Sequence, residues 1–375
     1  MKTKRKFKLK KSVIDILKVI GTILGILLAL LFIYLNNIHQ LQNLGYSKLA
    51  SRNILFKFKK KYVLDIGTNR TLNAAFESKY YVEDNLDSYS KIKYQPHKNL
   101  IKNINLLIKK KYSNSNISMI LEHGSDEDVT EFIKRDKIRY LEEFYSISYA
   151  KLKNYDRYVN YSDETGEDEE TVVLAVNLDM DKEDYQDPVV INKYSLDVLV
   201  NKHRQLSDKY KPSDLVKVSS KYASDSDILS SKVALDAFIK MYNAIKKDDL
   251  GIVINSGFRS YEEQEELCNL YRSLYGDNYV ERYVAKAGFS EHQTGLAFDI
   301  GSTSSNVFAN SKEYEWMQDN AYKYGFIQRF PKGYEEVTGF RSEPWHYRYV
   351  GVKAAKYIHD NKITYEEYYM RFLDK

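Results

Sequence analysis

The spacing of apolar positions changes character several times along the chain. Val19 to Leu35 (VIGTILGILLALLFIYL) is a run of 17 residues without a charge, and it is apolar on every face, unlike an amphipathic surface helix. As a helix the run rises about 25 Å. Ile14, Ile16 and Leu17 extend it toward the roughly 30 Å of a bilayer core. Residues 40–160 are rich in Lys, Leu, Ile, Tyr and Asn and poor in Gly, which predicts a helical region. Two segments in it echo each other. One starts at Leu44-Gly45-Tyr46-Ser47 and passes through Tyr81 and Asn85-Leu86-Asp87-Ser88-Tyr89; the other starts at His123-Gly124-Ser125 and passes through Tyr149 and Asn154-Tyr155-Asp156-Arg157-Tyr158. Ser47 and Ser125 are placed to cap the helices that follow. Two units are too few for a solenoid, so a small stalk is expected over residues 37–162, serving as a spacer or wall contact.

Beyond residue 170 the period shifts. Thr171–Val176 (TVVLAV) and Ser195–His203 (SLDVLVNKH) predict strands. Leu235, Phe238, Ile239 and Tyr242 recur at helical spacing within 232–246, and Gly251–Asn255 (GIVIN) is a short apolar strand. From Leu296 the pattern alternates, with Leu296, Phe298 and Ile300 on one face and Ala297 and Asp299 on the other.

Charge divides the chain further. Lysine and arginine total 57 against 52 acids, a net +5. Seven of those bases (Lys2, Lys4, Arg5, Lys6, Lys8, Lys10, Lys11) lie in residues 1–12 without an acid, leaving the rest at 5 − 7 = −2. A mildly acidic body argues against a nucleic-acid binder. The basic cluster before the apolar run places residues 1–12 in the cytoplasm and the chain after about residue 37 outside. The expected arrangement is a single-pass anchor over 13–36 in the cell membrane, with the lipid bilayer as partner. A cleaved signal peptide is the rival, but no Ala-x-Ala site follows the run. Cys268 is the only cysteine, so an intramolecular disulfide, a multi-cysteine zinc site and a lipoprotein anchor are excluded; a packed core thiol is expected there. The acidic run 163–170 has six acids in eight residues and reads as a solvated linker.

The candidate chemistry falls in three patches. Ser256-Gly257-Phe258-Arg259-Ser260-Tyr261-Glu262-Glu263-Gln264 follows a strand and opens a helix running to about Tyr275, so Arg259 leaves a turn at a strand end, where a scaffold can present a charge. In Ser290-Glu291-His292-Gln293-Thr294-Gly295-Leu296-Ala297-Phe298-Asp299, a turn at Thr294-Gly295 can fold His292 back toward Asp299, and both residue types are ordinary zinc ligands. In Glu343-Pro344-Trp345-His346, a bend at Pro344-Trp345 is needed to bring positions 343 and 346 to one centre. His346 can complete three ligands and Glu343 can stand beside a water. The other five histidines read as surface residues. No His-Glu-x-x-His run exists, and Ser-x-x-Lys at Ser88 and Ser148 lacks a Lys-Thr-Gly partner.

Together SGFRSYEEQ, SEHQTGLAFDIG and GFIQRFPKGYEEVTGFRSEPWHYRYVG resemble the zinc D-alanyl-D-alanine carboxypeptidases of the vancomycin-resistance type, over about residues 170–358. That family includes L,D-carboxypeptidases and D,D-dipeptidases and shares its fold with hedgehog signalling domains. The resemblance implies an α+β domain over 171–375, with an antiparallel sheet and flanking helices, preceded by the transmembrane helix and the small helical domain. It implies one Zn(2+) on His292, Asp299 and His346, with Glu343 as catalytic base and Arg259, Ser290, Gln264 and Gln293 toward substrate. The expected activity is removal of the C-terminal D-alanine from peptidoglycan stem peptides. L,D-carboxypeptidase or crosslink endopeptidase action, and a non-catalytic wall-binding or envelope-assembly role, are the alternatives. Ala285-Lys286-Ala287-Gly288 departs from the family's frequent Ala-Arg-Pro-Gly and bears on the rim of the site. Cys268 likewise stands where a tyrosine is common.

Overall fold

The computed structural model describes residues 11–135 and 138–374; the basic tail assigned to 1–12 lies, but for its last two residues, outside them. The described residues gather into two compact units. One runs to Tyr145 and takes in Lys151–Tyr155; the other comprises Ser146–Ala150 and the chain from Asp156 onward.

The first unit begins with a helix over Lys11–Asn43, whose apolar window has mean hydropathy 2.7 and no buried residue. Short helices follow, among them Lys48–Phe56, Lys60–Ile66, Leu100–Lys109, Asn114–His123 and Asp126–Lys134. Ser47 caps the first of these through Ala50 N, and Ser125 forms a capping box with Asp128.

The internal echo has a structural counterpart. The Tyr89 hydroxyl donates to Asn105, whose amide donates to Tyr80 O. The Tyr158 hydroxyl likewise donates to Asn177, whose amide donates to Tyr149 O. At the start of each copy the register differs from the sequence reading. Tyr46 donates to Gly67 O and Tyr112 to Phe132 O, and each precedes a capping serine, so the counterpart of Ser47 is Ser113 rather than Ser125.

In the second unit two expected strands are absent. Thr171–Val176 lies inside a helix, Glu169–Asn177, capped by Asp168 with Glu169 and Glu170 in its first turn. The acidic run is therefore no free linker: it ends the helix Tyr155–Thr165, turns, and starts the next. A short apolar run suits either a strand or a buried helix, and here the acids at the helix N-terminus favour the helix. Its Leu174 and the following Leu178 pack with Leu199, Ala355, Ile358 and Tyr365. Ser195–His203 is irregular because consecutive side chains are buried, Leu199 in that cluster and Val198 and Val200 in another. Arg348 binds the carbonyls of Leu196 and Val198, at 3.2 and 3.0 Å.

Two small strand pairs precede the main sheet. They are β1 (Val189–Ile191) with β2 (Arg204–Leu206), parallel, and β3 (Leu215–Lys217) with β4 (Leu229–Ser231), antiparallel. The main sheet contains β5 (Ile252–Ser256), β6 (Ala297–Ser302), β7 (Phe326–Gln328) and β8 (His346–Tyr349) in the order β5-β6-β8-β7, with every pair antiparallel. One face is apolar: Ile252, Ile254, Phe298, Ile300, Phe326 and Tyr347 join Phe238, Met241 and Ile245 of the helix Lys232–Ile245 in one core. Each fully buried side chain of this kind contributes about 1.5–3 kcal/mol. Burying that face sets the register, since a one-residue slip would reverse every side chain. Asp299 then lies directly opposite His346, and both point to the other face.

Candidate active site

Three elements bring the ligand candidates together. The 3₁₀ turn Glu291–Thr294 ends at Gly295, whose φ of +67° favours glycine. Gly295 N–H closes the turn on His292 O at 3.0 Å, which carries His292 back to β6. Its Nε2 lies 3.4 Å from Asp299 Oδ2. Across the strand pair, His346 Nδ1 lies 3.3 Å from Asp299 Oδ1. One donor atom from each of His292, Asp299 and His346 falls within 4.8 Å of the others. A 2 Å coordination radius around one ion suits that spacing. Asp299 Oδ1 is buried without a hydrogen bond, an orphaned acceptor aimed into the triangle, so the residues fit a metal ion.

The remote nitrogen of each histidine is held. His292 Nδ1 is 2.7 Å from Gly257 O, and His346 Nε2 is 3.4 Å from Glu291. Such partners fix the tautomer and turn the other nitrogen toward the metal. Glu291 was not singled out in the sequence, although it adjoins His292. It is fully buried and takes Arg329 Nε at 2.8 Å and Arg348 Nη1 at 3.2 Å; Arg329 also donates to Glu366 at 2.9 Å. A carboxylate beside a histidine motif, with two arginines in the last motif segment, was the legible signal, but only the fold pairs them.

Electrostatics favour a cation here. Burial opposes protonation of His346, yet the neighbouring carboxylates of Asp299 and Glu291 outweigh burial and raise its pKa to about 10. Asp299 is held far below the usual carboxylate range because the two histidines overcome burial. Burial pushes Glu343 upward, as suits a group that must accept a proton. The Pro344-Trp345 bend is closed by His346 N–H to Glu343 O at 3.2 Å, and places Glu343 Oε2 3.6 Å from His346 Nδ1.

The centre opens into a cleft of about 250 Å³ lined by Arg259, Gln264, Ser290, Glu343 and Trp345, among others. Arg259 is pinned: Nη1 donates to Gln264 at 2.8 Å, Nη2 to Ser256 at 3.0 Å, and its backbone N–H to His292 O at 3.2 Å. Both ends of the Gln264 side chain are engaged, since its amide donates to Ala285 O at 2.6 Å; within the cleft it positions Arg259. Gln293 points away and donates to Ser207 O and Tyr210 O, so it is not a cleft residue. Ser290 lies in the cleft and its hydroxyl accepts from His292 N–H at 3.4 Å. Cys268 is buried against Ala285 O, a packed thiol as expected. Two of the five histidines read as surface residues are not: His97 is bonded to Asp126 and Leu121 O, and His203 is 6% exposed. One cleft wall escaped the sequence reading. Tyr271, Tyr279 and Tyr283 line it from two helices broken at Gly276, with successive ring centroids 5.9 and 4.7 Å apart. The four-residue spacing was the available signal.

The family described as D-alanyl-D-alanine carboxypeptidase, VanY, matches residues 227–352. YodJ of Bacillus subtilis (strain 168), named as a carboxypeptidase, is 44% identical over 186 residues, covering 48% of this chain and 68% of its own. The bifunctional D-Ala-D-Ala dipeptidase and D-Ala-D-Ala carboxypeptidase VanXYC of Enterococcus gallinarum is 32% identical over 180 residues, 46% of this chain and 92% of its own. The solved structure of the LdcB LD-carboxypeptidase is 41% identical, covers 50% of this chain and 92% of its own, and has a TM-score of 0.46. By a shared identity that reaches across two thirds or more of each relative, the chain belongs to the VanY family of D-alanyl-D-alanine carboxypeptidases.

Proposed function

We propose that the protein is a membrane-anchored zinc carboxypeptidase that removes the terminal D-alanine from peptidoglycan stem peptides at the outer cell surface. The convergence of His292, Asp299 and His346 within 4.8 Å, with Glu343 beside them in one cleft, carries the reading. Two imidazoles and one carboxylate suit zinc, and three protein ligands leave a position open. One zinc ion held there supplies Lewis-acid polarisation and lowers the pKa of a water toward about 7.

The chain's own residues do the rest. Glu343 accepts the proton of the attacking water and hands it to the leaving amine of D-alanine. Arg259 has two of its N–H groups fixed by Gln264 and Ser256, and the remaining donors of its fork take the free C-terminal carboxylate. That contact makes the cleft select the last residue of a peptide. Gly257 O and Glu291 keep the histidines oriented.

The apolar helix supports an anchor: the basic cluster stays in the cytoplasm, residues 13–36 cross the bilayer and the remainder lies outside. The helical region that follows the span, expected over residues 37–162 and compact as far as Tyr145, acts as a stalk. Mass spectrometry of stem peptides incubated with the protein and zinc tests the activity. Pentapeptide stems should lose one D-alanine. Trimming of tetrapeptides alone would make it an L,D-carboxypeptidase, and intact stems of both lengths would overturn hydrolysis.

A further inference from the structure

We propose that the turn joining the helices Lys48–Phe56 and Lys60–Ile66 is a lipid-binding loop, seating Phe56 and Phe58 in the headgroup region of the bilayer that the N-terminal helix crosses. The proposal rests on that helix being a membrane span and is independent of the enzymatic reading.

Exposure is the first observation. Phe56 is 81% and Phe58 92% exposed, more than Phe32 at 73% within the apolar span itself. Side chains of this size in water at a helix end mark a surface with something to cover it.

The backbone is the second. Lys59 N–H bonds to Ile54 O at 2.9 Å and Phe58 N–H to Leu55 O at 3.1 Å, the paired bonds of a Schellman motif, whose left-handed position is usually glycine. Here it is Phe58, with φ +56°. A bulky residue in that conformation is a genuine outlier, and this one is both strained and exposed.

Position is the third. Leu30, Ile33, Tyr34 and Asn37 of the long helix share one hollow with Phe58 and Lys60, and Lys60 Nζ bonds to Asn37 Oδ1 at 2.6 Å. Leu30, Ile33 and Tyr34 belong to the uncharged run that ends at Leu35, so the loop is held level with the end of the span. Residues 56–61 read Phe-Lys-Phe-Lys-Lys-Lys. Aromatic rings at headgroup depth with a basic flank are the interfacial combination; within the run Lys59 pairs with Glu83 and Lys60 with Asn37, and Lys61 is the exposed base left for lipid phosphate.

The repeat supplies an internal control. In the second copy, where Ser113 matches Ser47, the corresponding helix ends at His123-Gly124 with Gly124 at φ −98°, and Ser125-Asp126 begin the next. Neither the aromatic pair nor the lysine run is present there. The feature belongs only to the copy beside the span.

Tryptophan placed at each level tests it in the full-length protein. F58W and L27W are reconstituted in phosphatidylglycerol–phosphatidylethanolamine vesicles, with and without lipids brominated in the upper acyl chain, and wild-type emission from Trp316 and Trp345 is subtracted. The expected result is bromine quenching of the added emission in both variants, with a blue shift of F58W relative to the denatured protein. Quenching of L27W without F58W overturns the loop while the span stands. Quenching of neither overturns both. A blue shift of F58W that depends on protein concentration and ignores bromine assigns the rings to a second copy, and also overturns the proposal.

Discussion

Among single side chains, Glu343 and the ligands separate most cleanly. Glu343→Gln keeps size and hydrogen bonding but cannot take a proton, so the rate of D-alanine release should fall about 10²–10⁴-fold while bound zinc, read by metal analysis, stays. His346→Ala should lose metal and activity together. Arg259→Lys keeps the charge but loses the two-pronged geometry, so KM for a stem peptide should rise more than kcat falls, and a fall confined to kcat would move Arg259 to the reacting carbonyl. Glu291 tests the second layer. Glu291→Gln leaves Arg329 and Arg348 short of a buried counter-charge and loosens His346, so zinc affinity measured by chelator competition should weaken about 10–100-fold. At this scale the motifs were readable as residues of the right chemistry. Gln293 lies outside the cleft because side-chain direction depends on neighbours far away in sequence, here Ser207 and Tyr210.

Among elements, the site depends on a turn and a register. Gly295 combines φ +67° with a neighbour, Ser231 N, that an added Cβ would meet at 3.1 Å. Gly295→Ala should therefore lower stability by about 1 kcal/mol or more, measured by the urea midpoint, and should loosen zinc because the same turn holds His292. A variant with unchanged midpoint and zinc affinity would show that the turn is not what brings His292 to β6. Alternation announced β6 correctly, since Leu296, Phe298 and Ile300 are all buried. Thr171–Val176 failed as a strand because its six residues carry no period long enough to separate strand from helix, and Asp168 supplied the cap.

For the whole molecule, the anchor makes the simplest test. The protein should fractionate with membranes with its N-terminus intact, by N-terminal sequencing. A soluble form beginning shortly after residue 36 would make the segment a cleaved signal. The break between compact units falls at residues 145–156 rather than in the acidic run. The helices on either side of that run belong to the catalytic unit through Tyr158–Asn177 and the packing of Leu174 and Leu178.

By itself the sequence determined what depends on local chemistry or on period. It specified an uncharged run long enough to span a bilayer, a half-buried strand that carries Asp299, caps at Ser47 and Ser125, and the identity of the histidines and carboxylates able to bind zinc. Tertiary structure decided what depends on residues brought together from far along the chain. The β6–β8 pairing sets Asp299 opposite His346. Arg329 and Arg348 converge on Glu291 from other strands and loops, and two helices join their tyrosines into one cleft wall. A buried charge must find its partner wherever the chain folds, and no spacing in the linear sequence records that distance.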